Sequence, residues 1–231
     1  MMRRSHREID DLTGDKRLRA IQARYHRGII CASFGLAAKE LFMVSITTPV
    51  CDFGRPPIDF DLPGTDGRRH SIASARGPNG LLIMFICNHC PYVKAVIHRI
   101  VRDTRELAAV GIGSIAIMAN DPSDYPEDSW DNMVNVAREF DFSFPYVLDA
   151  SQKVAKAYGA VCTPDFFGYN ASLALQYRGR LDASRKETAP EGVRRDLFEA
   201  MRQVAQTGIG PAEQIASIGC SIKWREPPAA C

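Results

Sequence analysis

The apolar positions of this chain change period along its length, and the changes divide it into elements. Leu81 to Ile86 is an unbroken apolar run, the pattern of a strand buried on both faces, and predicts a strand over 81–87. The period then becomes helical. Val93, Val96, Ile97, Ile100, Val101, Leu107 and Ala108 recur with Lys94, Arg99, Arg102, Asp103 and Glu106 between them, which predicts a helix from Pro91 to Ala109. A second apolar strand is expected over 112–118, then a loop over 121–128, a helix over about 127–140, a strand over 144–148, and a short helix over 151–158 capped by Ser151 and closed by Gly159. Upstream, 59–62 and 70–73 read as a hairpin around Gly64-Thr65-Asp66-Gly67. Downstream, 166–169 and 173–178 read as a hairpin across Asn170-Ala171-Ser172. A last helix is expected over 190–207, opened by Pro190 and ended by Gly208. Strands alternating with helices, followed by two adjacent strands and a helix, predict an α/β sandwich with a mixed central sheet.

Composition narrows the function classes. A chain of 231 residues that is 45% hydrophobic can bury one good core. No stretch approaches the roughly 18 apolar residues of a membrane span. The net charge of +2 is uneven: residues 1–28 carry eight Arg or Lys against four Asp or Glu, so the remainder is mildly acidic. With no basic patch interleaved with aromatics, a nucleic-acid role is not expected. Residues 1–50 read as an extension, poorly ordered or not native, ahead of a domain over 51–209 and a tail over 210–231 packing near the site. The run from Ile29 to Ala38 has the length of a signal-peptide core, but Glu8, Asp10, Asp11 and Asp15 precede it and count against both export and a mitochondrial transit peptide. One hypothesis is that translation starts at Met43; an intact mass matching all 231 residues in the natively expressed protein would refute it. Seven cysteines, Cys31, Cys51, Cys87, Cys90, Cys162, Cys220 and Cys231, do not read as a secreted disulfide scaffold. The expectation is a cytoplasmic protein whose disulfides are transient and catalytic.

The chemistry concentrates where the first apolar strand meets its helix, at Cys87-Asn88-His89-Cys90-Pro91-Tyr92-Val93-Lys94. With Pro91 at the first helical position, Cys90 falls at the N-cap. There it faces unpaired backbone N–H groups and the positive end of the helix dipole, conditions that lower a thiol pKa from about 8.5 into the range of roughly 3.5–7.5. An imidazolium at His89 would add to the effect.

This segment resembles the active site of the thioredoxin superfamily, in which an apolar strand ends in Cys-x-x-Cys at a helix start, followed by Lys. Matching the strand, Phe85 and Lys94 to that pattern puts Cys90 at the first cysteine and Val93 at the second. The Asn88-His89-Cys90-Pro91-Tyr92-Val93 segment is similar to peroxiredoxin-like thioredoxin-fold proteins of the redoxin (AhpC/TSA-type) branch. The resemblance runs from about Pro57 to Trp224, through Asp59–Gly67, Asn120-Asp121, Cys162–Asp165, Tyr177–Asp182 and Ser217–Trp224. It implies a thioredoxin-like three-layer α/β/α sandwich with an N-terminal β-hairpin, and a cis-proline loop at Thr163-Pro164 facing the nucleophile.

The resemblance also implies a reaction: Cys90 attacks a disulfide or sulfenic acid, and a second thiol resolves the mixed disulfide. Thr163 and Pro164, with Asn88, His89, Pro91 and Tyr92, would meet the substrate. Cys162, beside the cis-proline, is the expected resolving thiol in place of Val93. Cys87 is the rival, and Cys220, in a C-terminal segment able to fold back over the site, is a third. Arg178, Arg180 and Asp165 are weaker site candidates. Partners would be protein or small-molecule thiols and disulfides, with thioredoxin or glutathione as reductant; no cofactor and no metal are expected. Three other readings stand beside this one. Peroxide reduction fits the branch, but Cys87 and Ile83 occupy the places of Thr and Pro in the peroxiredoxin pattern Pro-x-x-x-Thr-x-x-Cys. Cu(I) binding by Cys87, His89 and Cys90 suits soft donors, yet the second cysteine of the similar Sco-type copper chaperones falls on Lys94. The last is a redox-inert binding module using the groove beside Pro164.

Overall fold

The computed structural model describes residues 45–187 and 189–225. The expectations for residues 1–44, including Cys31 and the possible start at Met43, and for Cys231 lie outside the described residues. Ten strands are present among those residues: β1 (Ser45–Thr47), β2 (Leu62–Pro63), β3 (Arg69–His70), β4 (Gly80–Phe85), β5 (Ile112–Met118), β6 (Tyr146–Leu148), β7 (Cys162–Thr163), β8 (Asp165–Asn170), β9 (Leu175–Tyr177) and β10 (Ile218–Ser221). Five helices accompany them: α1 (Ile72–Ala75), α2 (Pro91–Ala109), α3 (Trp130–Glu139), α4 (Lys153–Tyr158) and α5 (Asp196–Thr207).

β4 lies at the centre of the main sheet. It pairs antiparallel with β8, Leu82 opposite Gly168 and Met84 opposite Phe166, and β8 pairs antiparallel with β9. On its other side the Ile86 N–H donates to Ile117 O at 3.1 Å, joining β5, which pairs parallel with β6. The sheet is therefore mixed. The continuous apolar run of β4 is explained by its two faces. Leu82, Met84 and Ile86 pack with Val93, Val96, Ile97 and Ile100 of α2 and with Leu197 and Met201 of α5. Leu81, Ile83 and Phe85 point the other way, into a core shared with Ile72 of α1 and Ala155 and Tyr158 of α4. These are the three layers of an α/β/α sandwich. Each of these large side chains contributes about 1.5–3 kcal/mol by leaving water, so β4 is a firm platform for the residues that follow it.

The periodic helix from Pro91 and the strand to Met118 occur as predicted; three other elements differ. Residues 70–73 do not form a strand arm: the hairpin is confined to the pairs Leu62–His70 and Pro63–Arg69, because Ser71 caps α1 through a reciprocal pair of hydrogen bonds with Ser74. The N-cap of α4 is Gln152 rather than Ser151, whose Oγ nonetheless accepts from the Lys153 N–H at 3.2 Å, and the Asp149 carboxylate accepts from the Ala155 N–H at 2.9 Å. The last helix starts at Asp196 rather than Pro190, since Gly192 adopts a φ of 73° that interrupts any helical path. Gly159 and Gly208 do close their helices, both left-handed.

A second, smaller sheet sits beside the cysteines. β10 lies between β1 and β7 and is antiparallel to both, with Cys220 opposite Ser45 on one side and opposite Thr163 on the other. Among the described residues no helix is long and apolar enough to cross a membrane.

Candidate active site

Cys90 is the N-cap of α2, with extended backbone (φ −63°, ψ 121°), Pro91 at the next position, and its own carbonyl accepting from the Lys94 N–H at 2.9 Å. The loop that delivers it from β4 is held by one carboxylate. Asp128, fully buried, accepts from the backbone N–H of Asn88 at 2.8 Å and of His89 at 3.1 Å through Oδ1. Its Oδ2 lies 2.5 Å from His89 Nδ1 and accepts from Asn120 Nδ2 at 2.9 Å. Burial alone would raise this carboxyl; the hydrogen bond and charge of His89, with the Asn120 amide, outweigh it and hold Asp128 below the usual carboxylate range. Asn88 is fixed at its other end, donating to Glu127 O at 2.8 Å and accepting from Tyr146 Oη at 3.0 Å. The His89 ring stacks on Tyr125 at 4.3 Å.

Four sulfurs surround the cis Thr163-Pro164 bond. Cys90 Sγ is 3.1 Å from the Thr163 carbonyl oxygen, to which its protonated form donates. Cys87 Sγ is 3.3 Å from Thr163 Oγ1 and 3.7 Å from His89 Nδ1. Directly opposite residues of an antiparallel pair project to the same face, and neighbours along a strand to opposite faces. The Cys220 side chain therefore shares the face of the Thr163 side chain, which touches Cys87, whereas Cys162 and its partner Ser221 point the other way. The packing agrees. Cys87, Cys90 and Cys220 belong to one buried cluster, and Cys162 is not in it, its sulfur instead lying 3.6 Å from Pro164 O.

The electrostatics separate the thiols sharply. Hydrogen bonds from the Cys220 and Cys87 thiols, against the cost of burial and with help from Thr163 and the Val93 N–H, lower Cys90 to about 2. Cys87 is pushed well above its ordinary range by burial and by the neighbouring Cys90. Cys220 is pushed up by the hydrogen bond it shares with Cys90, by burial and by the Cys90 charge. Cys162 is raised as well, chiefly by burial. The site thus holds one anion among thiols that keep their protons, because a second negative charge beside the first is disfavoured.

Of the residues singled out by sequence, Cys90, Cys87, Thr163, Pro164, Asn88 and Pro91 converge here. Tyr92 and Pro164 line a cavity of about 230 Å³ together with Thr47, Val96, Leu181 and Ile218. His89 engages Asp128 and Cys87 rather than the Cys90 sulfur. The Thr163 backbone, expected to meet a substrate, is paired with β10. Asp165 and Arg178 form a buried ion pair at 3.0 Å, with the guanidinium also donating to Gly159 O and lying over the Phe167 ring. Arg180 pairs with Asp196 at 2.7 Å. Asp128, Tyr125 and Tyr146 carried no signal in the sequence: they lie in acid-rich or apolar stretches with no motif, and only the folded chain brings them to Asn88 and His89. Cys87 Sγ, His89 Nδ1 and Asp128 Oδ2 lie within 4.8 Å of one another. His89 and Asp128 are also hydrogen-bonded to each other, and Cys90 is not among the three.

A mixed sheet between helical layers, with a buried cysteine at a helix start facing a cis-proline loop, defines the thioredoxin-like fold. Residues 53–184 match the model of the AhpC/TSA family, and the chain belongs to that family. It is similar to an uncharacterized conserved protein from Geobacillus kaustophilus, at 39% identity and a TM-score of 0.75 over 81% of this chain and 99% of that one. A hypothetical protein from Sinorhizobium meliloti is 34% identical with a TM-score of 0.74, covering 78% and 98% of the two chains. A Bacteroides thetaiotaomicron protein provisionally described as a protein disulfide isomerase, 13% identical with a TM-score of 0.52 over 69% and 93%, shares the fold alone. A comparison with curated proteins found no match.

Proposed function

We propose that this protein is a thiol-disulfide oxidoreductase with Cys90 as its nucleophile. The observation that carries the reading is the buried Cys90 sulfur at the start of α2, facing the cis Thr163-Pro164 loop, with neighbouring thiols that lower its pKa. A thiolate is the attacking species in exchange, and a low-pKa thiol is also a good leaving group. The Cys90 thiolate attacks one sulfur of a substrate disulfide, forming a Cys90 mixed disulfide and expelling the other substrate sulfur as thiolate. A second thiol then attacks the mixed disulfide, releases the remaining substrate thiol and leaves the protein oxidised. An external thiol such as glutathione, or a dithiol protein of the thioredoxin kind, would return it to the reduced state. The cavity lined by Tyr92, Pro164 and Leu181, with Arg180, Asp182 and Ser184 at its polar side, adjoins the cis-proline loop and supports a substrate bound next to that loop.

Family membership supports a second reading, peroxide reduction by the same thiolate. Against it, Cys87 stands where peroxiredoxins of the Pro-x-x-x-Thr-x-x-Cys pattern carry the threonine that orients peroxide. The test is turnover of a peptide disulfide with dithiothreitol as reductant, run beside consumption of hydrogen peroxide. Wild-type protein is expected to reduce the disulfide and Cys90→Ser to fall to the uncatalysed rate. Faster consumption of peroxide than of disulfide would favour the second reading, and equal rates for wild type and Cys90→Ser would refute both.

A further inference from the structure

The site holds a thiol that the reaction above does not name. Cys220 sits on β10, and its place there is fixed from two sides: the backbone of Cys220 pairs with Thr163, and Ser45 of β1 pairs with it from the other edge. Register and alternation put its side chain on the Thr163 side-chain face, in the buried cluster that also holds Cys87 and Cys90, and its thiol is among the groups that lower Cys90. Cys162, the thiol expected to resolve Cys90, projects from the other face of the same ladder. Cys87 shares the buried cluster of Cys90, but it lies two residues past the end of β4 and opens a loop tied down by Asp128, Glu127 and Tyr146. Bringing it into a disulfide requires moving that whole network. β10 is held by two short ladders of three and two residue pairs, and Cys220 shares the buried cluster of Cys90, within which a bond of roughly 2.05 Å would form.

The geometry points to Cys220 as the resolving thiol of Cys90, with β10 lying along the cis-proline loop in the position where a substrate backbone would otherwise pair. The step balances. In the mixed disulfide Cys90–S–S–R, the Cys220 sulfur attacks Cys90 Sγ. The bond between Cys90 and the substrate sulfur breaks, the substrate leaves as thiolate, and it takes up the proton that Cys220 gives away. The products are a Cys90–Cys220 disulfide and a free substrate thiol. Across both steps the two protein cysteines are oxidised by two electrons and the substrate disulfide is reduced to two thiols.

The order of events follows from the charges. While Cys90 is an anion, Cys220 is obliged to keep its proton, by the hydrogen bond it gives and by the charge beside it. Once Cys90 is tied up in a mixed disulfide, both restraints vanish. Burial still holds Cys220 up, and the Lys223 charge then draws it toward the thiolate. Resolution is enabled by the attack that precedes it.

This inference rests on Cys90 being the nucleophile, and the test separates the two. The reduced full-length protein is treated with one equivalent of dithiodipyridine, quenched with acid and mapped by non-reducing peptide mass spectrometry, with release of pyridinethione followed in parallel. Wild type is expected to yield a Cys90–Cys220 linked peptide and two pyridinethiones per reagent molecule. Cys220→Ser is expected to yield one, with the pyridylthio group retained on Cys90, while Cys162→Ser gives the same link as wild type. A Cys90–Cys162 or Cys90–Cys87 link in wild type would overturn the assignment of Cys220 and leave the nucleophile standing. Modification elsewhere with Cys90 untouched would overturn the nucleophile itself. The wild-type map decides the matter even if Cys220→Ser does not fold.

Discussion

At the scale of single residues, the site is organised by proton placement. Cys90 is the only one of the clustered thiols held below its ordinary range, and its neighbours keep their protons because it has lost its own. This ties folding to pH with a definite sign. A group whose folded pKa is depressed stabilises the native state most fully above its unfolded pKa, near 8.5 for a thiol, and the contribution is lost as pH falls toward the folded value of about 2. The melting temperature of the reduced wild type, measured relative to Cys90→Ser, should therefore climb steadily as pH is raised from acid to about 8.5. A difference independent of pH would mean that Cys90 is an ordinary thiol in the native state. Above that window the comparison changes, since the raised pKa of Cys87 and Cys220 then opposes folding.

At the scale of elements, the strand-to-helix junction was legible in advance and the strand that covers it was not. β4 and α2 announce themselves through an apolar run and a helical period, and Pro91 fixes where one becomes the other, so Cys90 could be placed from the sequence alone. β10 has only four residues, Ile218–Ser221, with no alternation long enough to read, and its partners are more than 50 and 170 positions away. Its neighbourhood could be suspected, but not its register, and register is what supports the proposal of Cys220 over Cys162. One residue in it reveals how tightly it is seated. A side chain at Gly219 would bring its Cβ to 2.1 Å from the Thr163 carbonyl oxygen, with the Thr163 and Pro164 backbone next in line, and none of these atoms can swing aside. Gly219→Ala is expected to push β10 off β7, destabilising the protein by about 1–3 kcal/mol. It should also slow formation of the Cys90 intramolecular disulfide at least tenfold. An Ala variant with wild-type melting and oxidation rates would show that the ladder is looser than its geometry.

At the scale of the whole molecule, charged groups that looked like site chemistry turn out to hold the fold together behind the site. Arg178 and Asp165 are almost entirely buried, paired with each other beneath the cis-proline loop, and burial raises Asp165 despite the guanidinium beside it. Asp165→Asn leaves a buried cation without its partner and is expected to cost about 3–5 kcal/mol, a fall in melting temperature of about 10 °C or more. The double variant Asp165→Leu with Arg178→Met should recover most of that loss. If the single variant melts with wild type, the pair is not structural. The largest consequence concerns access. Cys90 has no surface of its own, lying beneath a ladder in which strands drawn from widely separated parts of the chain meet at the cis-proline loop. Under the proposed exchange reaction, a bulky disulfide would meet the sulfur when that ladder parts. Turnover in the proposed exchange would then be set by how often the ladder opens, not by the intrinsic speed of sulfur chemistry.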